Sequence, residues 1–190
     1  MADKVVVEKL YQQLFGEPGT RVYAVLDGAS VPDLALPHVL WQHKPEHVCL
    51  YRGELEPDLA ATAPYLTALP RDAEFTRWVL EQGWGNHWGI FAITPQSVNL
   101  ATLRKHFRTF LMVLSPENKP LYFRYYDPRV LRVYLPTCNA EEVRTVFGPV
   151  KSYVAEGEDA RRALAYREEG GQAQCRQTVL AEEARTGRPA

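Results

Sequence analysis

The chain has 190 residues, 46% of them hydrophobic and 24% charged, with a formal net charge of −1. This composition excludes a disordered polypeptide, and the length suits one domain with a real core. The balanced charge argues against a nucleic-acid or membrane-surface partner, and no apolar run reaches the roughly 18 residues of a membrane span.

Residues 3–15 place Val6, Leu10, Leu14 and Phe15 at helical spacing. After a turn at Gly16-Glu17-Pro18-Gly19, Arg21 to Asp27 reads as a strand. Its near-continuous apolar character predicts burial on both faces. A helix is expected from Val31 to about Gln42, a short strand over His47–Tyr51 and a helical piece over Asp58–Ala63. Pro64–Leu69 reads as a strand, and residues 72–82 as an amphipathic helix with Phe75, Trp78, Val79 and Leu80 inward. Trp84 to Ile93 is a loop running into a strand. A helix follows over Val98–Thr109, then a strand over Phe110–Leu114, with Pro116–Pro120 as a hairpin turn.

The next stretch, Leu121 to Val130, is the one the chain is organised around. Its aromatics predict a strand over 121–126, with Leu121, Phe123 and Tyr125 on one face and Tyr122, Arg124 and Tyr126 on the other. Asp127 is a good helix N-cap and Pro128 fits the first helical position, so a helix is expected from Arg129 to Leu135. Arg124, Asp127 and Arg129 then collect at a strand-to-helix corner, either as a structural ion pair or facing a partner. A further helix opens at Asn139, stops at Gly148-Pro149, and leads to a strand over Val150–Val154. From Glu156 onward charges dominate and aromatics nearly vanish. Helices are expected over 158–169 and 173–185, split at Gly170-Gly171. The predicted fold class is therefore α/β: a mixed β-sheet with helices packed on its faces, plus a smaller, mainly helical C-terminal segment. The domain division is 1–154 and 155–190.

Chemistry-bearing patterns are sparse. His38, His43 and His47 lack the spacing and the companions of a metal set. His87 lies between Trp84 and Trp88 beside glycines, which suits either a ligand pocket or tight packing. His106 shares its segment with Arg104, Lys105 and Arg108, which reads as a solvated basic face. Nucleophile-elbow, P-loop and dinucleotide-binding patterns are missing. Asp27 closes the first strand, where α/β enzymes bind ligands, so a small hydrolase-like site near Asp27 and His87 is the alternative reading. Cys49, Cys138 and Cys175 are odd in number and far apart, which predicts free thiols in a reducing compartment. With no signal-like N-terminus, the expected location is the cytoplasm. The expectation is a non-enzyme without cofactor or metal that works through a protein surface rich in Trp, Tyr and Arg.

Six pieces in order resemble one bacterial family. They are Tyr23-Ala24-Val25-Leu26-Asp27-Gly28-Ala29, Ala63-Pro64-Tyr65-Leu66, Trp84-Gly85-Asn86-His87-Trp88-Gly89-Ile90-Phe91, Leu103-Arg104-Lys105-His106-Phe107, Phe123-Arg124-Tyr125-Tyr126-Asp127-Pro128-Arg129-Val130-Leu131 and Phe147-Gly148-Pro149-Val150. The likeness, over roughly residues 20–153, is to the domain of unknown function 4123 family, adaptor chaperones of type VI secretion effectors. It implies a non-catalytic factor that binds a secreted effector, often near its N-terminal region, and helps load it onto the VgrG spike protein. The residues expected to shape the partner surface, or to brace the sheet beneath it, are Arg124, Tyr126, Asp127 and Arg129, with Trp84 and Trp88.

Overall fold

The computed structural model describes residues 2–115 and 117–182. Helix α1 (Lys4–Phe15) starts where the Asp3 carboxylate accepts the Val5 N–H at 2.8 Å, and it buries Val6, Leu10, Leu14 and Phe15 as their spacing predicts. Strand β1 (Thr20–Asp27) follows, then two short 3₁₀ turns (Gly28–Ser30 and Pro32–Leu34) and helix α2 (Leu36–His43). The helix expected from Val31 is interrupted. Asp33 and Leu34 take left-handed φ values of 56° and 52°, and the helix restarts with Pro37 in its first turn, where a missing N–H costs nothing.

Next come β2 (His47–Cys49), α3 (Pro57–Thr62), β3 (Pro64–Ala68) and α4 (Glu74–Trp78), which widens into a π turn (Val79–Gly83). Then follow β4 (Gly89–Pro95), α5 (Leu100–Phe107), β5 (Met112–Leu114) and β6 (Pro120–Tyr122). The chain continues through α6 (Pro128–Tyr134), a 3₁₀ turn (Leu135–Thr137), α7 (Ala140–Phe147), β7 (Ser152–Glu156), β8 (Arg162–Glu169) and β9 (Gln172–Val179). Helix α7 carries a reciprocal cap. The Asn139 side chain accepts the Glu142 N–H while the Glu142 carboxylate accepts the Asn139 N–H.

Seven strands form one sheet in the order β2-β3-β1-β4-β7-β8-β9, and β5 and β6 form a separate hairpin. Helices cover both faces, so the expected class holds. Strand β1 sits inside the sheet. Val22, Ala24 and Leu26 enter a core layer with α1, α2 and α4, and Tyr23 and Val25 enter a second layer with α5, α6 and α7. The close pass of β4 over β1 needs a glycine: a Cβ at Gly89 would meet the Val25 carbonyl oxygen at 2.0 Å.

Three expectations are corrected. Instead of a mixed sheet, every strand pair is antiparallel. The apolar run of β1 reports burial on both faces, which helices impose on an antiparallel sheet as readily as on a parallel one. Among the described residues, the C-terminal segment forms strands, not helices. Its Ala-, Arg-, Glu- and Gln-rich composition favours helix locally, but β8 pairs with β7, and Gly170 and Gly171 (φ 61° and 80°) make a tight two-residue turn into β9. The boundary at residue 155 thus passes through β7, and β8 and β9 continue the same sheet; residues 183–190 lie outside the described residues. Last, the strand expected over 121–126 stops at Tyr122. Tyr125 and Tyr126 are both buried, because the chain turns there, with the Asp127 N–H on the Arg124 carbonyl at 3.0 Å.

Candidate functional site

The corner forms at one end of the sheet. Strand β1 ends there at Asp27, β4 begins there, and β7 ends there at Glu156. The Asp27 N–H donates to the Trp88 carbonyl at 2.7 Å, and the Gly28 N–H to that of Ala63 at 3.0 Å, which ties the three loops together. Helix α6 brings its N-terminus to the same place.

Two buried aspartates anchor it. Asp27 is 1% exposed and accepts from the Ala29 N–H (3.2 Å), the Ser30 hydroxyl (2.9 Å) and the Arg124 guanidinium. Asp127 caps α6 by accepting the Arg129 N–H at 2.9 Å. It also takes the Arg129 guanidinium in a fork, Nε to Oδ1 at 2.9 Å and Nη2 to Oδ2 at 2.7 Å. Burial pushes the Asp127 carboxyl up, but the Arg129 guanidinium and N–H, with Arg124, outweigh it and leave the value below the usual range. Arg124 lies 3.9 Å from Asp127 and so bridges both aspartates. The outer parts of Arg124 and Arg129 reach solvent, with side chains 44% and 53% exposed.

A third carboxyl lies alongside. Glu156 is buried and accepts the His87 N–H at 3.2 Å, and burial pushes its carboxyl up to about 7. The His87 ring nitrogen Nδ1 lies 2.8 Å from Glu156 Oε2 but without the alignment of a hydrogen bond. Burial, with Arg129 and Arg132, pulls the imidazole below its ordinary value. Arg132 seals the site from α6 by donating to the Gly157 carbonyl at 2.7 Å.

The aromatic members face inward. Tyr126 is 1% exposed, and Trp84 and Trp88 are 2% and 5% exposed. Trp84 Nε1 donates to the Ala160 carbonyl at 2.6 Å, and the Trp88 ring packs on Trp78 with centroids 5.0 Å apart. These three lie in the core; of the six corner residues, Arg124 and Arg129 present surface. The sequence brought Arg124, Asp127 and Arg129 together but paired them only locally. It missed that Arg124 reaches Asp27, 97 positions away, and it missed Glu156 and Arg132. A charged residue ending an otherwise apolar strand was the available signal for Glu156.

The polar side chains of the alternative, hydrolase-like site do not meet one another. The Asp27 oxygens are occupied by three donors, and the His87 ring contacts Glu156. His38 stacks near Trp41, His43 lies 4.0 Å from Glu74, and His47 contacts the Pro45 carbonyl, so the three do not converge. Among the described residues no three His, Cys, Asp or Glu side chains cluster to hold a metal ion. Nor is the basic face wholly solvated. His106 contacts the Val146 carbonyl at 2.9 Å, and Arg108 donates to the carbonyls of Cys49, Leu50 and Tyr51. A hollow of about 310 Å³ lies at the other end of β1, between Phe15, Arg21, Tyr23, Glu46 and Arg71, away from the corner.

Exposed apolar surface is concentrated elsewhere. Met112, Val113, Leu114, Leu121 and Tyr122, all on the β5–β6 hairpin, are 40–67% exposed. They account for five of the eleven exposed large hydrophobic side chains among the described residues. The hairpin is anchored at its base by the Phe123 N–H on the Leu111 carbonyl (2.9 Å) and by Tyr122 against Tyr51, ring centroids 4.3 Å apart.

Residues 22–145 match the family described as "Domain of unknown function (DUF4123)". The chain belongs to the DUF4123 family. The matched span takes in β1 from Val22 onward, the Trp84–Trp88 loop, the hairpin, the Arg124–Arg129 corner and α6, and leaves β7 to β9 outside it. No curated protein and no solved structure matches the chain. None of the helices among the described residues is long and apolar enough to cross a membrane.

Proposed function

We propose that this DUF4123 chain is a non-catalytic adaptor of the cytoplasm that binds a type VI secretion effector, near the effector's N-terminal region, and helps load it onto the VgrG spike. The observation that carries this reading is the β5–β6 hairpin. An isolated two-stranded hairpin is marginal in water, and this one leaves five large apolar side chains 40–67% exposed. Met112, Leu114 and Tyr122 lie on one face of the hairpin and Val113 and Leu121 on the other, and exposed apolar side chains gathered on one element favour a protein-binding role. The corner supports the reading from the other side. Asp27 and Asp127 are taken up by arginines and backbone N–H groups, and Arg124 ties the end of β1 to the start of α6, which stiffens the frame. Family resemblance supplies the identity of the client and of the spike. The test is co-expression with the effector encoded beside a VgrG gene, followed by affinity purification. A stoichiometric complex, formed without turnover of the effector, supports the adaptor. An effector that stays unbound although both proteins are folded overturns it.

A further inference from the structure

The seven-stranded sheet has two edges, and the protein treats them differently. Strand β2 is three residues long, and Arg108 donates to the carbonyls of Cys49, Leu50 and Tyr51 at and just beyond its end. That is the usual protection of an edge: short and charge-capped. Strand β9 is eight residues long, carries Arg176 as its single charge, contains no proline, and among the described residues pairs only with β8. Its register with β8 is Glu169 opposite Gln172 and Tyr166 opposite Cys175.

We propose that β9 pairs antiparallel with β9 of a second copy, centred on Cys175. The register follows from geometry. A two-residue turn is closed by a hydrogen-bonded pair, here Glu169 and Gln172, and hydrogen-bonded pairs then alternate along the ladder. Gln174 and Arg176 therefore point their backbone groups at β8, whereas Ala173, Cys175, Gln177 and Val179 point theirs at the open edge. A second strand must oppose outward groups to outward groups, which forbids the register of full overlap. Two registers overlap over seven residues. The one centred on Arg176 sets two guanidiniums face to face, about 4.5 Å apart at Cα. The one centred on Cys175 sets Gln174 against Arg176 of the second copy, Gln172 against Thr178, and Ala173 against Gln177, with no like charges opposed. It forms about six backbone hydrogen bonds between the copies. The two Cys175 Cα atoms come about 5.5 Å apart, within disulfide range.

This pairing is independent of the adaptor reading and uses the opposite end of the sheet from β2. It is tested on the full chain by light scattering over a concentration series and by mild oxidation. The expected result is a mass rising to that of a dimer, with a covalent dimer through Cys175. Gln177→Pro removes an outward N–H without touching the β8 ladder, and Cys175→Lys places two ammonium groups on the two-fold axis. Each should weaken association at least tenfold. A monomer at every concentration overturns the proposal, as does a dimer that survives both substitutions.

Discussion

Removing the Asp127 carboxylate tests the bracing role of the corner most sharply. In Asp127→Ala, helix α6 loses the acceptor for the Arg129 N–H, a cap worth about 1 kcal/mol. It also loses the forked pair with Arg129. That guanidinium is 53% exposed and returns to water, so the pair is discounted to about 0.5–1 kcal/mol. The expected loss is about 2 kcal/mol in urea unfolding, or about 4–8 °C in Tm for a chain of this length. Asp127→Asn keeps a capping oxygen and loses only the charge, so about 0.5–1 kcal/mol is expected. The pH dependence has a fixed sign. The folded-state carboxyl lies below its unfolded value of about 3.9, so its contribution is complete above that pH and is lost as pH falls through the folded value. Equal losses for Ala and Asn, or a loss under about 0.5 kcal/mol for Ala, would refute the reasoning.

Glu156 carries the opposite sign. Its carboxyl is raised to about 7, so from the unfolded value of about 4.3 up to that point the folded state holds the extra proton and stability declines as pH rises. Glu156→Gln should remove that slope and stabilise the protein at pH 8 by on the order of 2 kcal/mol, with no gain below about pH 5. A Gln variant less stable than wild type at pH 8 would mean that the charged form is the favoured one. At Gly89, alanine would drive its Cβ into the Val25 carbonyl oxygen, so Gly89→Ala should cost more than about 3 kcal/mol or yield no soluble protein, read by thermal unfolding and expression.

The sequence revealed most where local chemistry and burial agree. The Asp127-Pro128 start of α6, the Asn139–Glu142 box of α7 and the apolar stripe of α1 are dictated by neighbours within one or two turns, and all three stand in the structure. It misled where long-range pairing overrides composition. Segments rich in Ala, Glu, Arg and Gln prefer helix in isolation, yet β8 and β9 are strands because β7 offers β8 an open edge and two glycines permit the turn. The aromatic run 121–126 has strand composition but must turn to bury Tyr125 against Phe107 and Phe110. The corner was half visible. The local trio of Arg124, Asp127 and Arg129 could be read from spacing, but the reach of Arg124 to Asp27 and of His87 to Glu156 joins segments 97 and 69 positions apart, which no local pattern encodes.

We propose that the chain acts by holding another protein through the β5–β6 hairpin. Calorimetric titration of the effector into wild type and into a Leu114→Asp/Leu121→Asp variant tests it directly. Both side chains are more than half exposed, so the variant should keep its melting temperature, while affinity falls at least a hundredfold. Unchanged affinity in a folded variant would contradict the account.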